Sequence, residues 1–240
     1  MSTQLQEKYA RVILESCLKV EKDQPLFISY NTERDDFVRI VSKIAYELGV
    51  RDIYYDVQDP YLKHEALMNL DVEELKKTNL WNKEMWNVYA KKNAAFLMLA
   101  SETPGLMKDV DSKKIAAMTK YAYETRKEFD DLRDQAKIAW CIAAVPPKAW
   151  AEALYDVDYA IDILWNNIFD MCGIREENPV KLWNEKIKKL ESRANKLNKY
   201  QFKTLRYEIS NGTKFKVDLP KNHVWASAKE VLANGKEVLL

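Results

Sequence analysis

The chain has 240 residues, 47% hydrophobic and 31% charged, with a formal net charge of +1. That length allows one large domain with a sizeable core, or one domain and part of another. A net charge this small supplies no global basic field, which excludes nucleic acid and anionic membrane surfaces as expected partners.

The three cysteines, Cys17, Cys141 and Cys172, form no CxxC pair. Sparse thiols on apolar stretches read as reduced core residues of a cytoplasmic protein. The N-terminus acquires charge early and carries no signal-peptide core, and no apolar stretch approaches the length a bilayer requires.

Leu5, Tyr9, Val12, Ser16 and Val20 recur at helical spacing, with Ile13 widening the stripe, which predicts an amphipathic first helix. Pro25 opens a strand over residues 26–30. Thr32 is the expected N-cap of the next helix, which carries Phe37, Ile40, Val41, Ile44 and Leu48 and stops at Gly49. A second strand follows at residues 53–57. Strand, helix, glycine and strand make a βα unit that returns to a parallel neighbour.

Asp59-Pro60 ends that strand and starts a short helix through Leu70. Asp71 with Glu74 predicts a capping box for a further helix bearing Leu75, Trp81, Trp86 and Tyr89. Residues 94–100 form a third buried strand. Asp111 caps one long helix with Ile115, Met118, Ala122, Phe129 and Leu132 on a single face. The apolar run from Ile138 to Val145, stopped by Pro146-Pro147, predicts a central strand buried on both faces. Helices near Trp150 and from about Val157 to Met171 follow, the latter ended by Gly173.

Asn178-Pro179 is a helix start, and Val180, Trp183, Ile187, Leu190, Ala194 and Leu197 keep three/four spacing beyond it. That stripe suits a helix docked on the sheet better than a coiled coil. From Phe202 the period becomes two, and Asn211-Gly212 marks a hairpin turn. The change of rhythm places a domain boundary near Tyr200, dividing residues 1–200 from 201–240. Asn234-Gly235 predicts a second hairpin. Its last strand, Val238-Leu239-Leu240, reads as one that continues into a longer chain. The expected fold is therefore α/β: a parallel-sheet three-layer domain with helices on both faces, plus a C-terminal β-hairpin extension.

Candidate chemistry is sparse. The turn after the first strand lacks the glycines of a dinucleotide site or a P-loop. His64-Glu65 begins a zinc-protease helix pattern, but Met68 stands where the second histidine belongs. His223, the only other histidine, sits beside an aromatic in a loop and reads as structural. The acidic pairs Asp35-Asp36, Asp130-Asp131 and Glu176-Glu177 are adjacent residues that cannot face each other on a helix. Cys141 lies in an apolar run, where burial raises a thiol's pKa and makes it inert. The tryptophans fall mostly on helix stripes and read as core.

Segments 24–30, 47–60, 94–101, 139–151, 178–198 and 218–225 form an ordered set. The most telling pieces are Asp59-Pro60, Trp140 followed by Pro146, Trp150-Ala151, Trp183 with Leu190, and Leu219-Pro220 with His223 and Trp225. In that order they resemble the amino-terminal domain of the thermophilic metalloaminopeptidase family, the aminopeptidase T/S type. The resemblance implies cytoplasmic, homodimeric exopeptidases that remove N-terminal amino acids from peptide substrates. It also implies two divalent metal ions, zinc, cobalt or magnesium, activating a bridging water, with a glutamate as base. The implied ligands are glutamates, histidines and an aspartate of the family's carboxy-terminal domain, beyond Leu240. No catalytic, cofactor-binding or metal-binding residue is therefore carried over to this chain. The expected function is the non-catalytic amino-terminal domain of such an enzyme, inactive alone. The alternative is a stand-alone α/β binding or interaction module.

Overall fold

The chain enters through α1 (Thr3–Arg11), which widens into a π-helical turn over Val12–Cys17. The amide of Leu18 reaches back to the Ile13 carbonyl at 2.9 Å. Val12, Ile13, Leu14, Cys17 and Leu18 are all buried there, while Glu15 stays partly exposed and pairs with Arg11. The computed structural model describes residues 3–77 and 80–239, with side chains throughout except those of residues 80–83. The side chain of Trp81, expected on a helix stripe, and Leu240, expected in the last strand, lie outside the described residues.

The regular elements that follow are β1 (Leu26–Asn31), α2 (Asp35–Glu47), β2 (Ile53–Gln58), α3 (Pro60–Asn69), α4 (Val72–Lys77), α5 (Leu80–Lys91) and β3 (Ala95–Ala100). After these come α6 (Ser112–Thr125), α7 (Lys127–Asp134), β4 (Trp140–Ala144), α8 (Lys148–Leu154), α9 (Ala160–Met171) and α10 (Pro179–Tyr200). Two hairpins close the chain, β5 (Thr204–Glu208) with β6 (Lys214–Asp218) and β7 (Lys229–Val231) with β8 (Glu237–Leu239).

Strands β1 to β4 form a parallel sheet in the order β2-β1-β3-β4. Side chains alternate across a strand, and β1 shows what that does here. Leu26 and Ile28 join a core with α1, the π turn, α2 and α9. Phe27 joins a separate core with Trp86 and Tyr89 of α5 and Phe129 of α7. Helices therefore cover both faces, and the three-layer α/β architecture is present. Phe27 sits within 5.8 Å, centroid to centroid, of Tyr54, Trp86, Tyr89 and Phe96, so the second core is built of rings.

β4 is not central. It lies at the edge of the sheet, and Ile142 is 59% exposed. Ala143 and Val145 join the first core, while Ile142 points away from it. The inner places belong to β1 and β3, because the chain moves outward to β2 and then crosses back past β1 to β3. An apolar run reports only that a strand forms; which strands flank it depends on the crossovers.

Local signals mostly hold. Asp71 and Glu74 exchange bonds, the Glu74 amide donating to Asp71 Oδ1 at 2.8 Å and the Asp71 amide to Glu74 Oε2 at 2.9 Å, the expected capping box. Asp111 and Asn178 cap α6 and α10. Gly49 has φ +96°, a conformation that favours glycine. The first cap differs: Asn31, not Thr32, accepts from the Glu33 amide, and α2 starts only at Asp35 after a 3₁₀ turn. The single helix expected beyond Asp111 is two, broken at Arg126. α10 docks through Ile187 and Ala194, with Leu190 left 41% exposed.

Candidate functional site

The strand order reverses between β1 and β3. In open parallel sheets, ligand crevices form at such a reversal, outside the carboxyl ends of the strands. A crevice of about 420 Å³ lies at this point, lined by Asn31, Gln58, Asp59, Lys63, Ser101 and Thr103 among others. Asn31 and Gln58 are the last residues of β1 and β2, and Ser101 is the first after β3. A hollow of about 450 Å³ along the polar face of α10, from Lys188 to Lys199, is formed by one helix and offers no groups converging from several elements.

Hydrogen bonds fix the crevice walls. Asn31 Nδ2 donates to the Ser101 carbonyl at 3.1 Å, tying the ends of β1 and β3 together. Asp59 Oδ1 accepts from the amides of Tyr61 and Leu62, each at 2.9 Å. The amides at the start of α3 are therefore taken by Asp59 and are not free to hold a phosphate, as a helix N-terminus otherwise can. The hydroxyls of Ser101 and Thr103 are buried with no hydrogen-bond partner among the described residues.

One step inward along β2, Asp56 is 2% exposed. Its carboxylate accepts from Ser29 Oγ at 2.8 Å and from Gln58 Nε2 at 2.9 Å. Burial pushes the Asp56 carboxyl above the usual range, opposed by those two donors, by the Arg126 charge and by Trp86. Arg126 in turn lies over the Trp86 ring at 4.8 Å. Neither Asp56 nor the Asn31–Ser101 tie was singled out in the sequence. The one available signal was a carboxylate inside an otherwise apolar and aromatic strand.

The sequence candidates do not assemble. His64 Nε2 meets Asp109 Oδ1 at 2.9 Å and its Nδ1 lies 3.8 Å from Glu65 Oε1, so the two carboxylates take opposite nitrogens rather than one point. His223 Nδ1 donates to the Pro220 carbonyl at 3.0 Å, and its Nε2 is buried without a partner among the described residues. Among the described residues, no three His, Cys, Asp or Glu side chains form a cluster able to hold a metal ion. Cys141 departs from expectation. It is half-buried on the edge strand, and a hydrogen bond from the buried Cys17 thiol lowers its pKa, while Cys17 is pushed up. Among the described residues no helix is long and apolar enough to cross a membrane.

The geometry defines a doubly covered parallel α/β scaffold with a crevice at its strand ends. The pattern of the thermophilic metalloprotease (M29) family matches residues 2–239, and the chain belongs to that family. It is 30% identical over 234 residues to aminopeptidase AmpS of Bacillus subtilis, covering 96% of this chain and 57% of that protein. It is 28% identical over 237 residues to aminopeptidase PepS of Streptococcus thermophilus, covering 97% and 57%. Wild-type AmpT from Thermus thermophilus has the same fold, with a TM-score of 0.87 at 22% identity over 98% of this chain and 58% of that one. The chain thus spans a little over half the length of these relatives.

The family's name implies a metal. Among the described residues, His64 and His223 keep separate partners and join no cluster of donors that could hold a metal ion.

Proposed function

We propose that this chain is the amino-terminal, non-catalytic portion of a dinuclear-metal-dependent aminopeptidase that removes N-terminal amino acids from peptides, and that it is inactive alone. The observation that carries this reading is the coverage. The family pattern takes in residues 2–239, while relatives named as aminopeptidases extend well beyond the matched part, which is 57% of their length. The metal ions and the groups that cleave the peptide bond belong, on this reading, to the unmatched portion. The complete enzyme is a cytoplasmic homodimer.

The domain division belongs to the same proposal, with residues 1–200 as the α/β domain and 201–240 as the start of a second. The β5–β6 hairpin supports it, standing off the parallel sheet. β7–β8 returns to the first domain's core through Leu232 and Val238.

A second reading, a stand-alone binding module, draws support from the strand-end crevice. Hydrolysis of leucine p-nitroanilide separates the two from an active enzyme. The 240-residue chain, loaded in turn with zinc, cobalt and magnesium, is expected to show only background cleavage. Turnover above background overturns the assignment of chemistry to the unmatched portion.

A further inference from the structure

The β5–β6 hairpin has two unlike faces. Its ladder pairs Leu205 with Val217 and Tyr207 with Phe215, and the last two rings stack 4.5 Å apart, 11° from parallel. Ile209 continues the same face by the two-residue period. Tyr207, Ile209, Phe215 and Val217 are each 41–50% exposed. Arg206, Glu208, Lys214 and Lys216 alternate with them, and Lys214 and Lys216 pair with Glu208 and Asp218. One face is thus built for water and the other is not.

The hairpin is held at its base and uncovered along its length. The Leu219 amide closes onto the Lys203 carbonyl at 2.9 Å. Asn198 at the end of α10 bonds both the amide and the carbonyl of Trp225, at 2.7 and 3.0 Å. Among the described residues neither strand has a partner other than its sister. A lone two-stranded ribbon is marginal in water and is normally completed by packing on its apolar face.

Resting on the family reading above, we infer that this apolar face is the docking surface for the carboxy-terminal portion of a family-length chain. Leu205, Tyr207, Ile209, Phe215 and Val217 are its contact set. Two observations choose that occupant over a second copy of this chain. The matched relatives continue beyond the 57% of their length that this chain covers, so a partner of domain size exists in the family. The face is also small: half-exposed side chains of these types present on the order of 400 Å², below the roughly 800 Å² per partner of a standard stable complex. It suits the smaller contacts found between domains of one chain.

Two measurements test the docking. Hydrogen exchange at residues 204–218 is compared with exchange at the aligned hairpin of full-length AmpS from Bacillus subtilis. Protection in the full-length relative should exceed that in this chain by about 100-fold or more, the difference between an open and a covered element. Equal protection overturns the inference. Sedimentation velocity and thermal melting are then run on this chain and on its Tyr207→Lys/Phe215→Lys variant. Unchanged sedimentation and an unchanged Tm support the inference. A dimer that the substitutions dissociate assigns the face to a second copy and overturns it. Peptidase activity is read separately, so the domain reading and the docking surface can fail independently.

Discussion

Ser29 Oγ donates to Asp56 Oδ2 at 2.8 Å between paired positions of β1 and β2, giving a partner to a carboxylate that is 2% exposed. With Gln58 on the other oxygen, this is the most buried polar arrangement near the strand-end crevice. Burial raises the Asp56 pKa in the folded chain, so the native state holds that proton more tightly than the unfolded state does. Stability linked to Asp56 is then fully present below the unfolded carboxylate value and is lost as pH rises through the folded one. Asp56→Asn removes the dependence. Urea unfolding from pH 4 to pH 7, about the range from an ordinary carboxylate pKa to neutrality, should show the variant gaining on the wild type as pH rises. A stability difference that stays flat, or slopes the other way, refutes the buried charge. Asp56→Ala at pH 7 strands the Ser29 and Gln58 donors and should cost about 1–3 kcal/mol.

Asn31 makes two bonds that no smaller side chain can make, accepting from the Glu33 amide and donating to the Ser101 carbonyl, both at 3.1 Å. Asn31→Ala should destabilise by about 1–3 kcal/mol, seen as a lower urea midpoint with an unchanged slope. Asn31→Asp keeps the cap acceptor and loses the donor. If Asn31→Asp matched the wild type, the tie to Ser101 would contribute nothing.

Cys141 should alkylate before Cys17. The Cys17 thiol is buried and pushed up, while its hydrogen bond favours the Cys141 thiolate, and the thiolate is the reactive form. Brief iodoacetamide treatment at pH 8 followed by peptide mass spectrometry reads the order. Labelling of Cys17 ahead of Cys141 would contradict the pairing.

Metal analysis offers a further check. After dialysis against buffer containing zinc and then metal-free buffer, the chain should retain far less than one zinc per molecule, because His64 and His223 lie in separate settings. Two retained ions per chain would place a metal centre where none is proposed.

Much of this protein was written locally. The Asp71–Glu74 capping box, the caps at Asp111 and Asn178, the Gly49 stop and the Asn211-Gly212 hairpin each depend on residues within a few positions of one another. Their outcome was fixed before any packing occurred. The ordered set of segments likewise carried the family resemblance. Tertiary structure alone decided that β1 and β3 are inner strands and β4 is an edge, because strand order follows from which way each crossover turns. It also decided that Asn31 meets Ser101 across 70 positions and that Asp56 is buried. Hydrophobic period reports which face of an element is apolar, and only the neighbours on that face determine what a polar group between them touches.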